Sequence, residues 1–140
     1  MGHPGVATPA DEDDRTTRGI ELGRRFIDAI VAHDWPAISD CFEADGRFRA
    51  VVPNTKPFRD HVGGAAAADQ LRRWFGDADI TELMESNVQP VEDRIRVTYR
   101  IHEHEPDGWF VVEQQAYITL GHQAIAYMNL VCSGFRPVAS

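Results

Sequence analysis

Cysteine is scarce in this sequence. Cys41 and Cys132 lie far apart and belong to neither a C-x-x-C pair nor a Cys/His ligand spacing, which excludes a disulfide framework and a zinc module. Both are expected to be reduced and buried as small apolar side chains. Cationic charge is also short: 14 lysines and arginines face 22 acidic residues, a net charge of −8. Such a surface repels phosphate backbones and anionic lipid, so neither nucleic acid nor a membrane is an expected partner. The residues from Met1 to Arg15 hold no apolar run of signal-peptide length, and Val6 stands where a myristoylation signal needs Ser or Thr, so the expectation is a cytoplasmic protein. G-x-G-x-x-G, the phosphate-binding P-loop, H-E-x-x-H and any spaced Ser-His-Asp arrangement are missing too. Nucleotide and classical hydrolase chemistries fall with them, and nothing calls for a cofactor.

What is present is an ordinary folding composition. The chain has 140 residues, 43% of them apolar and 26% charged, enough for one domain and too few for two. Residues 1–16 carry few large apolar groups and include the acidic run Asp11, Glu12, Asp13 and Asp14, so they read as a disordered tail ahead of a single domain over 17–137. From Thr17, Ile20, Gly23, Ile27 and Ile30 recur at helical spacing, with Phe26 and Val31 widening the stripe. His33-Asp34-Trp35-Pro36 breaks the pattern and restarts it. Asp34 can cap a short second helix that holds Trp35, Ile38 and Phe42 and ends near Asp45-Gly46. Phe48, Ala50 and Val52 alternate as a strand over Arg47 to Val52, and Pro53-Asn54 stops it.

A third helix is expected from Gly64 to Phe75, with Ala68, Leu71, Trp74 and Phe75 on one face and Gly76-Asp77 as its stop. Four runs rich in β-branched and aromatic residues follow: Ile80 to Val91, Ile95 to Glu103, Trp109 to Leu120 and Ala124 to Cys132. Their short separators, Glu92-Asp93, Pro106-Asp107-Gly108 and Gly121-His122, predict antiparallel hairpins.

This order of elements, over about Thr17 to Pro137, resembles the nuclear transport factor 2-like superfamily, which includes polyketide cyclases, ketosteroid isomerases, scytalone dehydratase and limonene epoxide hydrolase. The step Ala32-His33-Asp34-Trp35, the helix from Gly64 to Phe75, the phrase Val112-Glu113-Gln114-Gln115-Ala116-Tyr117 and the ending Val131 to Pro137 resemble bacterial SnoaL-like proteins. The resemblance implies an α+β fold: a cone-shaped, strongly curved antiparallel sheet with three N-terminal helices enclosing a pocket for a small hydrophobic molecule. It also implies pairing through the outer face of the sheet, and the many apolar positions of the long strands point to a homodimer. The fold hosts both enzymes and binding modules, so two functions are carried forward. One is a cyclase-, isomerase- or dehydratase-like enzyme on a small hydrophobic carbonyl compound. The other is a non-catalytic ligand-binding or dimerisation module.

His61 and Glu113 are the candidate proton-transfer groups, and Trp35, Trp74, Tyr99, Gln115 and Asn129 are candidate ligand contacts. Asn129 stands where a limonene epoxide hydrolase would want a carboxylate, and an amide cannot act as a base. Glu113, Gln115 and Tyr117 share one strand face; Phe110, Val112, Gln114, Ala116, Ile118 and Leu120 share the other. Either the apolar face packs under the helices, or the polar face lines a wet pocket in which Glu113 would have a raised pKa. Tyr99 shares a face with Ile95, Val97 and Ile101, so it looks inward only if that apolar face is the core side. His102 and His104 sit on one side of a strand and with His122 could chelate a metal, but the simpler reading of residues 102–105 is a solvated hairpin tip.

Overall fold

The computed structural model describes residues 9–53 and 60–138, with side chains from Glu12 onward. The elements run α1 (Pro9–Ala32), α2 (Trp35–Asp40), β1 (Phe42–Val51), β2 (His61–Val62), α3 (Gly64–Phe75), β3 (Ile80–Val91), β4 (Arg94–Glu105), β5 (Gly108–Leu120), β6 (Ile125–Cys132) and β7 (Arg136–Pro137). The strands form one curved, unclosed sheet in the order β2-β1-β6-β5-β4-β3, with β7 added against β5. Every pairing is antiparallel except β1 with β6, which run parallel. Three helices cover one face of this sheet, as the expected cone requires.

The helix α1 starts at Pro9 rather than Thr17, so the expected tail is helical from residue 9 onward; residues 1–8 lie outside the described part. Proline suits a first helical position, and acidic groups suit the positive end of the helix dipole. Tertiary contacts then hold the extra turns. Arg15 donates to the carbonyls of Leu120 (2.5 Å) and Gly121 (3.1 Å), and Arg18 to that of His122 (2.6 Å). The apolar stripe behaves as its spacing predicts, with Phe26, Ile27 and Ile30 buried. At Gly23 a Cβ would lie 2.8 Å from Val88 and 2.9 Å from Val97, so this residue lets the helix touch the sheet.

Asp34 caps α2 by accepting from the Ala37 amide at 3.1 Å. The second helix is shorter than expected and β1 longer. Phe42 leaves the helix and pairs with Ile125, and a bulge between Phe42 and Arg47 takes the strand through the Asp45-Gly46 turn signal. The α3 range matches the expectation residue for residue. A Cβ on Gly64 would meet the Ser39 carbonyl oxygen at 2.1 Å, so glycine is what allows α3 to begin against the end of α2. The core fills the space between helices and sheet. Phe26, Phe48, Phe75, Leu71, Ile101, Ile118, Met128 and Leu130 are among its large, fully enclosed members.

Candidate functional site

The pairing register decides which strand face looks inward. Tyr99 lies opposite Gln114, and Gln114 opposite Cys132, all on the face that carries Ile95, Val97, Ile101, Val112, Ala116 and Ile118. The apolar face of β5 therefore packs under the helices and the polar face looks outward. Tyr99, 3% exposed, donates its hydroxyl proton to the Gln114 side-chain oxygen. That contact orients the amide, whose Nε2 donates to Cys132 Sγ at 3.3 Å, and the Gly134 amide reaches the same sulfur at 3.4 Å. Tyr99 also packs on Phe26 with ring centroids 6.4 Å apart, and burial lifts its pKa well above the usual phenol value.

Further along β4, on the same inner face, sits Glu103. It is 0% exposed; neither carboxyl oxygen meets a partner at full hydrogen-bonding geometry among the described residues, and the neighbouring Glu105 carboxyl is the group close enough to accept its proton. Burial, and then the neighbouring charges of Glu105 and Asp77, push its pKa from 4.5 up to about 8. At neutral pH it is therefore mostly a neutral carboxylic acid. The expectation of a solvated hairpin tip at residues 102–105 is corrected here. The strand runs through Glu105 to the turn, because β3 and β5 both pair with it there, Thr81 and Phe110 flanking Glu103. A signal for this was present: Glu103 ends the alternating series Ile95, Val97, Tyr99, Ile101 and so inherits their face.

Glu113 is corrected as well. It lies on the outer face with its side chain 58% exposed, and its Oε1 accepts from Arg100 Nε at 2.9 Å while Glu85 approaches the same guanidinium at 3.4 Å. These three border an outer groove of about 380 Å³ together with Thr98, Gln115 and Val131. Tyr99 and Gln114 meet that groove only through their main chain, since their side chains point to the opposite face. Tyr99 and Glu113 therefore do not share an interior cavity. Gln115 is exposed and donates to the Tyr117 hydroxyl at 2.9 Å, and Asn129 lies in the same outer layer between Tyr117 and Arg49.

His61 and Trp74 both lie against Phe48. His61 is half-buried on β2 opposite Phe48, and the Phe48 ring stands 6.3 Å from His61 and 6.1 Å from Trp74. Trp35 is elsewhere, stacked on His33 at 5.1 Å beside a surface hollow bordered by Arg72 and Arg73. His102 and His104 are on the outer face of β4, where His104 Nδ1 meets Asp79 Oδ1 at 2.7 Å. His122 lies beyond the far end of β5, and no cluster of three metal-ligating side chains occurs among the described residues.

No protein-family model matches the sequence, and neither does any curated protein. Solved structures do match in shape. A nuclear transport factor 2-like protein from Anabaena variabilis is similar at a TM-score of 0.70 and 13% identity, over 96% of this chain and 95% of that one. An epoxide hydrolase of limonene epoxide hydrolase-like type from M. tuberculosis is similar at 0.64 and 15%, over 84% of each chain. A candidate polyketide cyclase from Xanthomonas campestris is similar at 0.66 and 20%, over 84% and 91%. No helix among the described residues is long and apolar enough to cross a membrane. With three helices among the described residues laid on one mostly antiparallel curved sheet, the chain has the nuclear transport factor 2-like fold.

Proposed function

We propose that the chain is a small-molecule pocket protein that moves a proton next to a carbonyl group, an isomerase-, cyclase- or dehydratase-like enzyme on a small hydrophobic compound. One observation carries this reading: the buried, neutral carboxyl of Glu103, beside Glu105, on the same inner face as Tyr99 and Gln114. A fully buried carboxyl is uncommon, and a carboxylic acid held neutral by burial and by neighbouring carboxylates can donate a hydrogen bond to a developing enolate oxygen. In this reading Glu103 holds the carbonyl oxygen while a base removes the α-proton, and His61, beside Phe48, is the candidate base. Glu113 has no part in it, because Arg100 already neutralises it at the outer surface.

The test is exchange of α-protons of cyclohexenone and related small cyclic ketones in heavy water, followed by proton NMR. Wild type should accelerate exchange at neutral pH and lose the effect as pH rises through about 8, where Glu103 ionises. Glu103→Gln should lower the rate by about a hundredfold or more, the span of general acid–base contributions. The second reading, a non-catalytic binding module, is favoured by the outward position of Glu113. It predicts ketone binding without any exchange.

A homodimer through the outer sheet face belongs to the same proposal. Val51 and Val131 are neighbours there, 61% and 55% exposed, beside the Arg49, Arg96, Tyr117 and Tyr127 positions. Arginine and tyrosine around exposed apolar residues is the composition of interface cores.

A further inference from the structure

We propose that the cleft between α1 and β3 binds a small zwitterion, an α-amino acid with a branched apolar side chain. The helix presses on the sheet at Gly19 and Gly23, where a Cβ would lie 2.5 Å from Ile95 and 2.8 Å from Val88. Beside that contact Arg24, Ile27 and Asp28 face Leu83, Ser86 and Asn87 across a cleft of about 240 Å³. This is below the roughly 300–1,000 Å³ of sites for drug-sized ligands, so it suits a molecule of amino-acid size. Leu83 and Ser86 have opposite parity along β3 and would ordinarily point to opposite faces. They share the cleft wall because the strand bulges between Leu83 and Glu85, and bulges of this kind re-aim side chains.

Arg24 and Asp28 stand four residues apart on one side of the helix, a spacing at which opposite charges ordinarily pair. Here they pair neither with each other nor with any described residue. Two unspent opposite charges on one cleft wall match a carboxylate and an ammonium held one carbon apart. The guanidinium takes the carboxylate through parallel hydrogen bonds, and Asp28 takes the ammonium. Asn87 directs its amide nitrogen to Gln89 at 3.1 Å, which leaves its carbonyl oxygen and the Ser86 hydroxyl for the ligand. Ile27, Leu83 and Val88 supply the apolar contact for a branched side chain. No residue of this cleft belongs to the Tyr99, Gln114 and Glu103 set, so the inference stands or falls apart from the function proposed above.

Titration of the full chain with L-leucine, followed on backbone amide NMR signals, tests it. The probes for comparison are 4-methylpentanoate, which lacks the amine, and isoamylamine, which lacks the carboxylate. Saturable shifts should appear at the amides of residues 24–28 and 86–88, with leucine at least about tenfold tighter than either analogue. Arg24→Gln should reduce leucine affinity to that of the amine, and Asp28→Asn to that of the carboxylate. Both side chains are exposed, so the substituted proteins keep the wild-type spectrum elsewhere. Equal affinity for the three probes, or no shift at these amides with about 10 mM leucine, a concentration that would fill a millimolar site, overturns the proposal.

Discussion

At the scale of single residues, two glutamates on adjacent strands meet opposite fates because one-residue steps along a strand reverse the face. Glu103 falls on the buried side and cannot be ionised cheaply; Glu113 falls on the wet side and pairs with Arg100. Removing Glu113 should therefore cost little. A Glu113→Gln protein is expected to keep the wild-type urea midpoint and the wild-type ketone exchange rate, since exposed ion pairs contribute little to stability. Glu103 should instead shape the stability profile between pH 4.5 and about 8. Between pH 4.5 and about 8 the folded protein retains a proton that the unfolded chain has released, so raising the pH favours unfolding. Its share of the slope is about 1.4 kcal/mol per pH unit in that window, and that share should be lost in Glu103→Gln, leaving the smaller one of Glu105. Urea denaturation at a series of pH values measures both.

At the scale of elements, periodicity carried most of the information. The α3 and β3 ranges match their apolar and turn signals residue for residue, and β4, β5 and β6 match to within two residues at either end. Three things were illegible in the sequence, all of them consequences of contacts remote along the chain. The early start of α1 depends on Arg15 and Arg18 reaching carbonyls after β5. The early start of β1 depends on a parallel pairing with β6 that no local pattern announces. The face on which Glu113 lies is set by pairing register and stayed open in the sequence, while Glu103 was visible as the last member of an apolar series. The turn between β5 and β6 is held by charge from two elements, with Glu43 accepting from the Gln123 and Ala124 amides at 2.9 and 3.2 Å. Those bonds lower the Glu43 pKa, so their contribution is lost as pH falls through the folded-state value. Glu43→Gln should flatten the acid limb of the same urea series. Gly64→Ala should destabilise by about 1–3 kcal/mol, because its methyl group meets the Ser39 carbonyl and the overpacking has nowhere to relax.

At the scale of the whole molecule, the helices and the inner sheet face enclose the core while the outer face remains a layer of arginine, tyrosine and valine open to contact. If that layer is the seam of a homodimer, sedimentation should give a dimer at micromolar concentration, and Val131→Asp should shift it to monomer without changing the ketone exchange rate. A monomeric wild type would remove the dimer from the account and leave the interior intact. The interior rests on Glu103 being a buried neutral acid, which makes its titration the most direct measurement available. Carbon-detected NMR of the glutamate carboxyl groups should show the Glu103 signal titrating with a midpoint of about 8, apart from the remaining glutamates, and moving when cyclohexenone is added. A Glu103 midpoint in the ordinary range near 4.5, unmoved by the ketone, would contradict the account.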